Sequence, residues 1–287
     1  MIIDKLYKKV SEMGNVCVGL DSDLSYIPFS YYRWFERDEE ALFNYNKRII
    51  DETIDVAACY KVQIAYYEAL GIMGLRVYKN TVAYIRSLGA IVIGDVKRGD
   101  IKDTAKKYAK AHFEGEFEVD FITVNPYMGL DSLDPYLNYV ENDEKGIFTL
   151  VRTSNMGAHD IQFLEDKSGK KVYDIVGEKV QKLGEKYMGE SGYSSIGGVM
   201  GLTHKEEAKE IRERLNKTFF LVPGYGAQGG KAEDVSLLLK NGNGAVVNSS
   251  RGILLAYKKE ENRGLDFAKC ARYEAIKMRD EIIKASR

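Results

Sequence analysis

A cluster of charged side chains directly follows the apolar run 91–93, and its residue types suit catalysis by carboxylates and an ammonium group. Asp95, Lys97 and Asp100 form a D-x-K-x-x-D pattern there. Alternate side chains of a strand point to the same side, so Asp95 and Lys97 share one face, and Asp100 is expected to begin the next helix. A solvated strand end with ordinary salt bridges is the commoner explanation for such a pattern in isolation. A place at the end of a barrel strand, where catalytic residues usually stand, favours function.

A glycine-rich segment, 221–230, follows another apolar run and precedes a stretch of helical period. Glycines let the backbone approach a ligand, and amides at a helix N-terminus favour anions, so the segment predicts a phosphate-binding loop. Gly224, Gly226 and Gly229 also satisfy G-x-G-x-x-G, which leaves a dinucleotide site and a plain glycine turn as alternatives. The dinucleotide fingerprint needs an acidic residue after the next strand, where this sequence has Arg251. An arginine there favours a phosphate monoester.

Three further polar residues, Asp21, Lys61 and Ser154, stand at the ends of other predicted strands. Taken singly, each is more commonly a helix cap or a solvated charge than a functional residue. The carboxyl ends of barrel strands meet at one rim, so their coincidence there predicts a common site.

Histidine and cysteine are too scarce and too scattered to suggest a zinc site or a nucleophile triad. The histidines are His112, His159 and His204. The chemistry is therefore expected to rest on Asp, Lys, Arg and backbone groups. An odd set of distant cysteines predicts buried free thiols in a reducing compartment. These are Cys17, Cys59 and Cys270.

The composition is that of an ordinary globular protein without a dominant charge. Its 42 basic and 43 acidic residues leave a formal charge of -1, so no global field favours nucleic acid or an anionic membrane. No stretch reaches the roughly 18 apolar residues of a membrane span, and the start has no apolar signal region. We expect a cytoplasmic protein that binds neither nucleic acid nor membrane.

Short apolar, β-branched runs alternate with segments of helical period along the chain, which indicates βα units around a parallel sheet. The predicted strands are 16–20, 57–62, 91–95, 121–125, 147–151, 195–200, 219–222 and 245–248. Eight such units favour a closed (β/α)₈ TIM barrel in the α/β class, although an open doubly wound sheet has the same local pattern. We expect a single domain over 1–287, with long loops after strands 1 and 5 (about 21–40 and 155–193).

The residues singled out above also resemble those of a known family. They are Asp21, Lys61, the element Asp95-x-Lys97-x-x-Asp100-Ile101 and the loop Pro223-x-x-Gly226-Ala227-Gln228-Gly229-Gly230. In this order they resemble orotidine 5′-phosphate decarboxylase, and segments 123–129 and 153–155 resemble its larger subtype, type 2. Magnesium-dependent phosphosugar decarboxylases and aldolases also carry D-x-K-x-x-D, but the glycine–glutamine loop and Lys61 favour the narrower assignment. A non-catalytic nucleotide-binding barrel is a third alternative.

The resemblance implies a carboxy-lyase that converts orotidine 5′-phosphate to UMP and CO₂ in de novo pyrimidine biosynthesis, with no cofactor or metal. Lys97 would stabilise the C6 carbanion and protonate it, within an alternating network of Lys61, Asp95, Lys97 and Asp100. The resemblance also implies a homodimer in which Asp100 and Thr104 reach the neighbouring site. The implied substrate-binding residues are Asp21, Thr104, Asn125, Ser154, Pro223, Gly226, Gln228, Gly230 and Arg251.

Within that set, roles are implied for individual contacts. Lys61 and Asp21 would contact the ribose hydroxyls, and Ser154 would read the pyrimidine edge. Gln228 would bridge base and phosphate, and Arg251 would grip the phosphate. Gln63 departs from the Asn expected two residues after the ribose lysine, which leaves its role open.

Overall fold

Parallel strands form a closed barrel in the computed structural model, which describes residues 1–201, 205–226, 229–262 and 264–287. Within those ranges the eight strands are β1 Val16–Leu20, β2 Cys59–Gln63, β3 Ile91–Arg98, β4 Phe121–Val124, β5 Gly146–Arg152, β6 Ser194–Met200, β7 Thr218–Val222 and β8 Ala245–Ser249. Each pairs with its sequence neighbour, and β1 also pairs with β8. The predicted TIM barrel is confirmed, and the open sheet is excluded.

Helices occupy the segments between the strands and surround the barrel. They are α1 Ile2–Met13, α2 Phe29–Tyr32, α3 Asp38–Thr53, α4 Ile64–Glu68, α5 Gly71–Ser87, α6 Lys102–Phe113, α7 Asp134–Asn142, α8 Val172–Gly184, α9 Lys205–Arg214, α10 Ala232–Ser236, α11 Arg251–Leu254 and α12 Phe267–Ala285. Helix α6 begins at Lys102, not at Asp100 as predicted, because Ile101 is still extended with φ -114° and ψ 156°. None of the described helices combines the length and apolar character needed to cross a membrane.

Strand side chains alternate between two apolar clusters, one inside the barrel and one beneath the helices. Cys59, Ile93 and Phe121 belong to the inner cluster. Because side chains alternate along a strand, the residue two positions after each of these also points into the barrel. At the carboxyl ends of the strands these inward-pointing residues are polar. Below, the apolar face of α1 closes the amino-terminal end of the barrel, where its buried side chains join the inner cluster. The three cysteines are buried and free, as predicted.

The longest connections follow β1 and β5, at 21–58 and 153–193. The first contains α2 and α3, and the second contains α8. Gln162 on the second connection fixes the end of β5. Its side-chain oxygen accepts from the Thr153 amide at 2.9 Å, and its Nε2 donates to the Thr153 hydroxyl at 2.7 Å. The connection therefore shapes the rim next to Ser154.

Close packing inside the barrel depends on a glycine of β6. A Cβ at position 197 would lie 2.6 Å from the Phe148 ring and 2.7 Å from the carbonyl oxygen of Phe219. We expect Gly197→Ala to lower the free energy of unfolding by about 1–3 kcal/mol, the usual cost of overpacking. Urea unfolding measures this loss.

The adjacent Gly198→Ala is the matched control. A Cβ there has its nearest contact at 3.1 Å, to a methyl group of Val151, and so is less crowded than at position 197. Gly198→Ala should therefore cost less than Gly197→Ala, and an equal or larger cost would contradict the packing argument.

Candidate active site

Polar side chains converge on a cavity of about 660 Å³ at the carboxyl ends of the strands. Of the residues predicted from sequence, seven line it: Asp21, Lys61, Asp95, Lys97, Ser154, Pro223 and Arg251. These come from six different segments of the chain, as expected if the strand ends meet at one rim. Lining the cavity does not test what each residue does, so their individual roles stay predictions.

A row of alternating charges, buried at its centre, forms the floor of this cavity. Lys61 Nζ lies 3.2 Å from Asp21 Oδ1 and 2.7 Å from Asp95 Oδ2. Lys97 Nζ lies 2.5 Å from the other oxygen of Asp95. Lys61 and Asp95 are only 4% and 6% exposed, so the dielectric around their ion pair is low and their interaction is strong.

Asp95 accepts four hydrogen bonds, two at each carboxylate oxygen. Lys97 and Thr123 donate to Oδ1, at 2.5 and 2.9 Å. Lys61 and Gln63 donate to Oδ2, at 2.7 and 2.9 Å. A carboxylate has about four lone-pair positions, so Asp95 has no acceptor capacity left for a ligand.

The surrounding charges determine the protonation states of the buried pair. Burial alone would raise the pKa of Asp95, but the ammonium groups of Lys61 and Lys97 outweigh burial and hold that pKa well below its usual range. Burial would likewise lower the pKa of Lys61, whereas the carboxylates of Asp21 and Asp95 hold it above its usual value. Both side chains are therefore charged at neutral pH.

Lys97 differs from Lys61 in its access to the cavity. Its side chain is 47% exposed, although its ammonium group contacts Asp95. The Lys97 backbone has φ 42°, in the left-handed region that residues with side chains rarely adopt. An ammonium group in this position can interact both with Asp95 and with a molecule in the cavity.

Five of the predicted residues do not line the described cavity. Asp100 accepts a hydrogen bond from the Ile101 amide at 2.8 Å, and Thr104 is exposed on α6. Asn125 accepts from the Tyr127 amide at 3.0 Å and shapes a turn. The other two are Gly226 and Gly230. Gln228 lies outside the described residues.

Three amides of the glycine loop donate hydrogen bonds within the loop, and phosphate binding by this loop stays a prediction. The amide of Gly226 donates to the carbonyl of Gly230 at 3.0 Å, and that of Gly229 donates to Gly226 at 2.9 Å. The amide of Gly230 donates to Gly224 at 3.3 Å. These amides are engaged within the loop, so here it presents Pro223, Gly224 and Tyr225 to the cavity instead.

Sequence reasoning missed several residues at the cavity. They are Tyr66, Thr123, Leu150, Thr153, Asn155, Val199, Asn248 and Ser250, whereas Leu221, Gly224 and Tyr225 belong to the predicted glycine loop. Thr123 carried a usable signal, because it stands two residues after the inward-facing Phe121 on β4. The side chain of Gln63 is also accounted for, since it donates to Asp95 and accepts from the Ala65 amide at 3.4 Å. In the described ranges no group of three or more His, Cys, Asp or Glu could hold a metal ion.

The sequence profile described as "Orotidine 5'-phosphate decarboxylase / HUMPS family" matches residues 14–263. The chain belongs to this family. It is 63% identical to an orotidine 5′-phosphate decarboxylase of Clostridium perfringens over 285 residues, which cover 99% of both chains. It is 62% identical to the Clostridium kluyveri protein of the same name over 286 residues, which cover 100% of this chain and 98% of that protein.

A solved structure also resembles this chain over nearly its whole length. The structure of Leishmania donovani OMP decarboxylase superposes with a TM-score of 0.77 and 28% sequence identity, covering 99% of this chain and 98% of the other. The family predicted from the residues is thus confirmed by both sequence and fold.

Lys61 should contribute more to stability than Lys97, because Lys61 is itself buried whereas Lys97 is half exposed. We expect Lys61→Met to lower the free energy of unfolding by about 3 kcal/mol, since it removes one partner of a buried ion pair. The loss should shrink as the pH falls. Without Lys61 the pKa of buried Asp95 rises, and the carboxyl group takes up a proton that relieves the penalty.

Lys97→Met is the matched control. It removes a half-exposed ammonium group and leaves the buried Lys61–Asp95 pair intact. It should cost about 1 kcal/mol or less. Urea unfolding over a range of pH measures both variants, and equal losses would contradict the assigned difference.

Proposed function

We propose that this chain decarboxylates orotidine 5′-phosphate to UMP and CO₂, a step of de novo pyrimidine biosynthesis. The observation that carries the proposal is the row of alternating charges Asp21, Lys61, Asp95 and Lys97 at the mouth of the barrel. The relatives at 62–63% identity bear the name of this activity and support it. We also infer that the whole chain is one domain, since the barrel closes through β1 and β8.

The reaction requires a group that stabilises negative charge on carbon. Loss of CO₂ from C6 of the pyrimidine leaves a carbanion that the ring delocalises poorly. Lys97 reaches the cavity with an ammonium group that Asp95 holds in place. In our proposal it stabilises the carbanion electrostatically and then donates a proton to C6.

One ammonium group does not account for the whole effect. A charge pair at about 4 Å contributes roughly 4 kcal/mol at an effective dielectric near 20. Enzymes commonly lower barriers by about 8–23 kcal/mol, so other interactions have to supply the rest. In our proposal Arg251 holds the phosphate and Asp21 with Lys61 holds the ribose, which lets remote binding energy act on the transition state. Ser154 and Gln228 would contact the base.

Asp95 orients Lys97 and does not bind the substrate by hydrogen bonds. Its four acceptor positions are already occupied by protein donors. Substrate carboxylate placed beside it would be repelled, and loss of CO₂ would relieve that repulsion. We assign Asp95 mainly to orientation, because a contribution from ground-state repulsion needs a substrate geometry to support it.

We propose a homodimer in which Asp100 and Thr104 complete the partner's site. Large apolar side chains are exposed on the segments that follow β2, β3 and β4, which adjoin at the rim. They are Ile72 (75% exposed), Ile101 (46%), Tyr127 (79%) and Met128 (55%). Contiguous exposed apolar surface is typical of protein interfaces, and these side chains follow three neighbouring strands. Asp100 lies directly before Ile101, so such an interface would carry it toward a second chain.

The direct test is loss of the orotidine 5′-phosphate absorbance on incubation with the purified protein. We expect turnover that survives a chelator, and a loss of at least about 1000-fold in Lys97→Ala, which removes both the charge and the proton donor. Lys8→Ala is the control, because Lys8 is 76% exposed on α1 at the other end of the barrel. Inactive wild type, or an equally active Lys97→Ala variant, would refute the assignment.

A shared site predicts complementation between two inactive variants. In a mixed dimer of Lys97→Ala and Asp100→Ala subunits, one site combines Lys97 and Asp100 from different chains and is intact. Random exchange of equal amounts should restore about a quarter of wild-type activity, because half of the dimers are mixed and each has one intact site. Absence of recovery after verified subunit exchange would contradict a site completed by Asp100.

A further inference from the structure

The pairing of β3 with β4 is irregular at the cavity. Gly94 pairs with Ile122 and Arg98 pairs with Val124, so residues 95–97 of β3 lie opposite the single residue Thr123 of β4. Extra residues in one strand interrupt the ladder and leave backbone amides without strand partners. Two of the residues in this interruption are Asp95 and Lys97. Backbone amides in this interruption therefore need an acceptor other than a strand carbonyl, and Thr123 is the residue opposite them.

The hydroxyl of Thr123 supplies that acceptor and a donor as well. It accepts from the amides of Val96 and Lys97, at 3.0 and 2.9 Å. It donates to Asp95 Oδ1 at 2.9 Å. A hydroxyl has one donor and two acceptor positions, so all of its capacity is used. Thr123 is 1% exposed, and its hydroxyl has nothing left with which to bind a ligand.

These bonds act at the strained point of the backbone. Lys97 has φ 42°, a conformation that costs free energy in a residue with a side chain and persists only where the surroundings impose it. The amide of Lys97 and the carboxylate that contacts its ammonium group both bind the same hydroxyl. Thr123 thereby binds the backbone amide of Lys97 directly and its ammonium group through Asp95.

We propose that Thr123 is a positioning residue for the reaction and sets the place of Lys97 through its amide and through Asp95. The proposal rests on the proposed function, because Lys97 has to be the reacting group for its position to affect the rate. The residues assigned to ribose and phosphate, Asp21, Lys61 and Arg251, have no hydrogen bond to Thr123 among the described contacts. Loss of the hydroxyl should therefore lower kcat and change KM little.

The test compares Thr123→Val with Thr123→Ser and Thr149→Val. Valine keeps the shape of threonine and removes the hydroxyl, whereas serine keeps the hydroxyl. Thr149 on β5 is fully buried too, but its hydroxyl has no hydrogen-bond partner among the described residues, so Thr149→Val controls for the substitution itself. Steady-state kinetics on orotidine 5′-phosphate are measured beside thermal unfolding of each variant.

We expect kcat of Thr123→Val to fall by roughly 10- to 100-fold, the loss that a displacement of about 1 Å in a reacting group can cause. Its KM should change by less than about threefold, which separates loss of transition-state stabilisation from loss of binding. Thr123→Ser should recover most of the lost kcat, and Thr149→Val should match wild type. If Thr123→Val does not fold, Thr123→Cys takes its place, because a thiol is a weak donor and acceptor.

Two results would overturn the proposal while leaving the activity in place. One is a Thr123→Val enzyme whose folded protein has the kcat of wild type. The other is a Thr123→Ser enzyme as slow as the valine variant, which would show that the hydroxyl does not matter. Wild-type protein without any activity would overturn both the proposed function and the role of Thr123.

Discussion

The carboxylate of Asp95 is the group on which the rest of the site depends. Its four donors come from three adjacent strands: Lys61 and Gln63 from β2, Lys97 from β3 and Thr123 from β4. A buried carboxylate is costly unless its oxygens are bonded, and here each oxygen receives one cationic and one neutral donor. The bonds that make burial of the charge possible therefore also fix the relative places of the two lysines.

Much of the barrel could be predicted because its determinants are local. Apolar runs gave all eight strands, and the period of two placed Asp95 and Lys97 on one side at the rim. Thr123 and Gln63 were not assigned as partners of Asp95. Such contacts depend on the register between neighbouring strands and on side-chain conformation, and the sequence of a single segment determines neither. The irregular register at Lys97 is of the same kind. It arises between β3 and β4, so β3 alone does not reveal it.

The rim shows why the predicted residues divide into those inside the cavity and those outside it. Lys61 and Asp95 continue the inward face of a strand, and strand geometry alone brings them together. Asp100 and Thr104 lie beyond the end of β3, where the chain turns outward into α6. For the glycine loop, composition indicates a flexible backbone but not which acceptors its amides choose. Here Gly226 and Gly230 bind within the loop.

Closure of the barrel floor by α1 bears on how the chain folds during synthesis. Asn15, just after α1, donates to the carbonyl of Ala245, and Asn243 donates to the carbonyl of Tyr7. The helix is synthesised long before the residues near 243–245. Its apolar face therefore has no complete barrel to pack against until nearly the whole chain has emerged. Contacts so distant in sequence form late and slow the search for the native state. An incomplete nascent chain thus exposes apolar surface at its beginning, which makes the period before β8 emerges the one most open to aggregation.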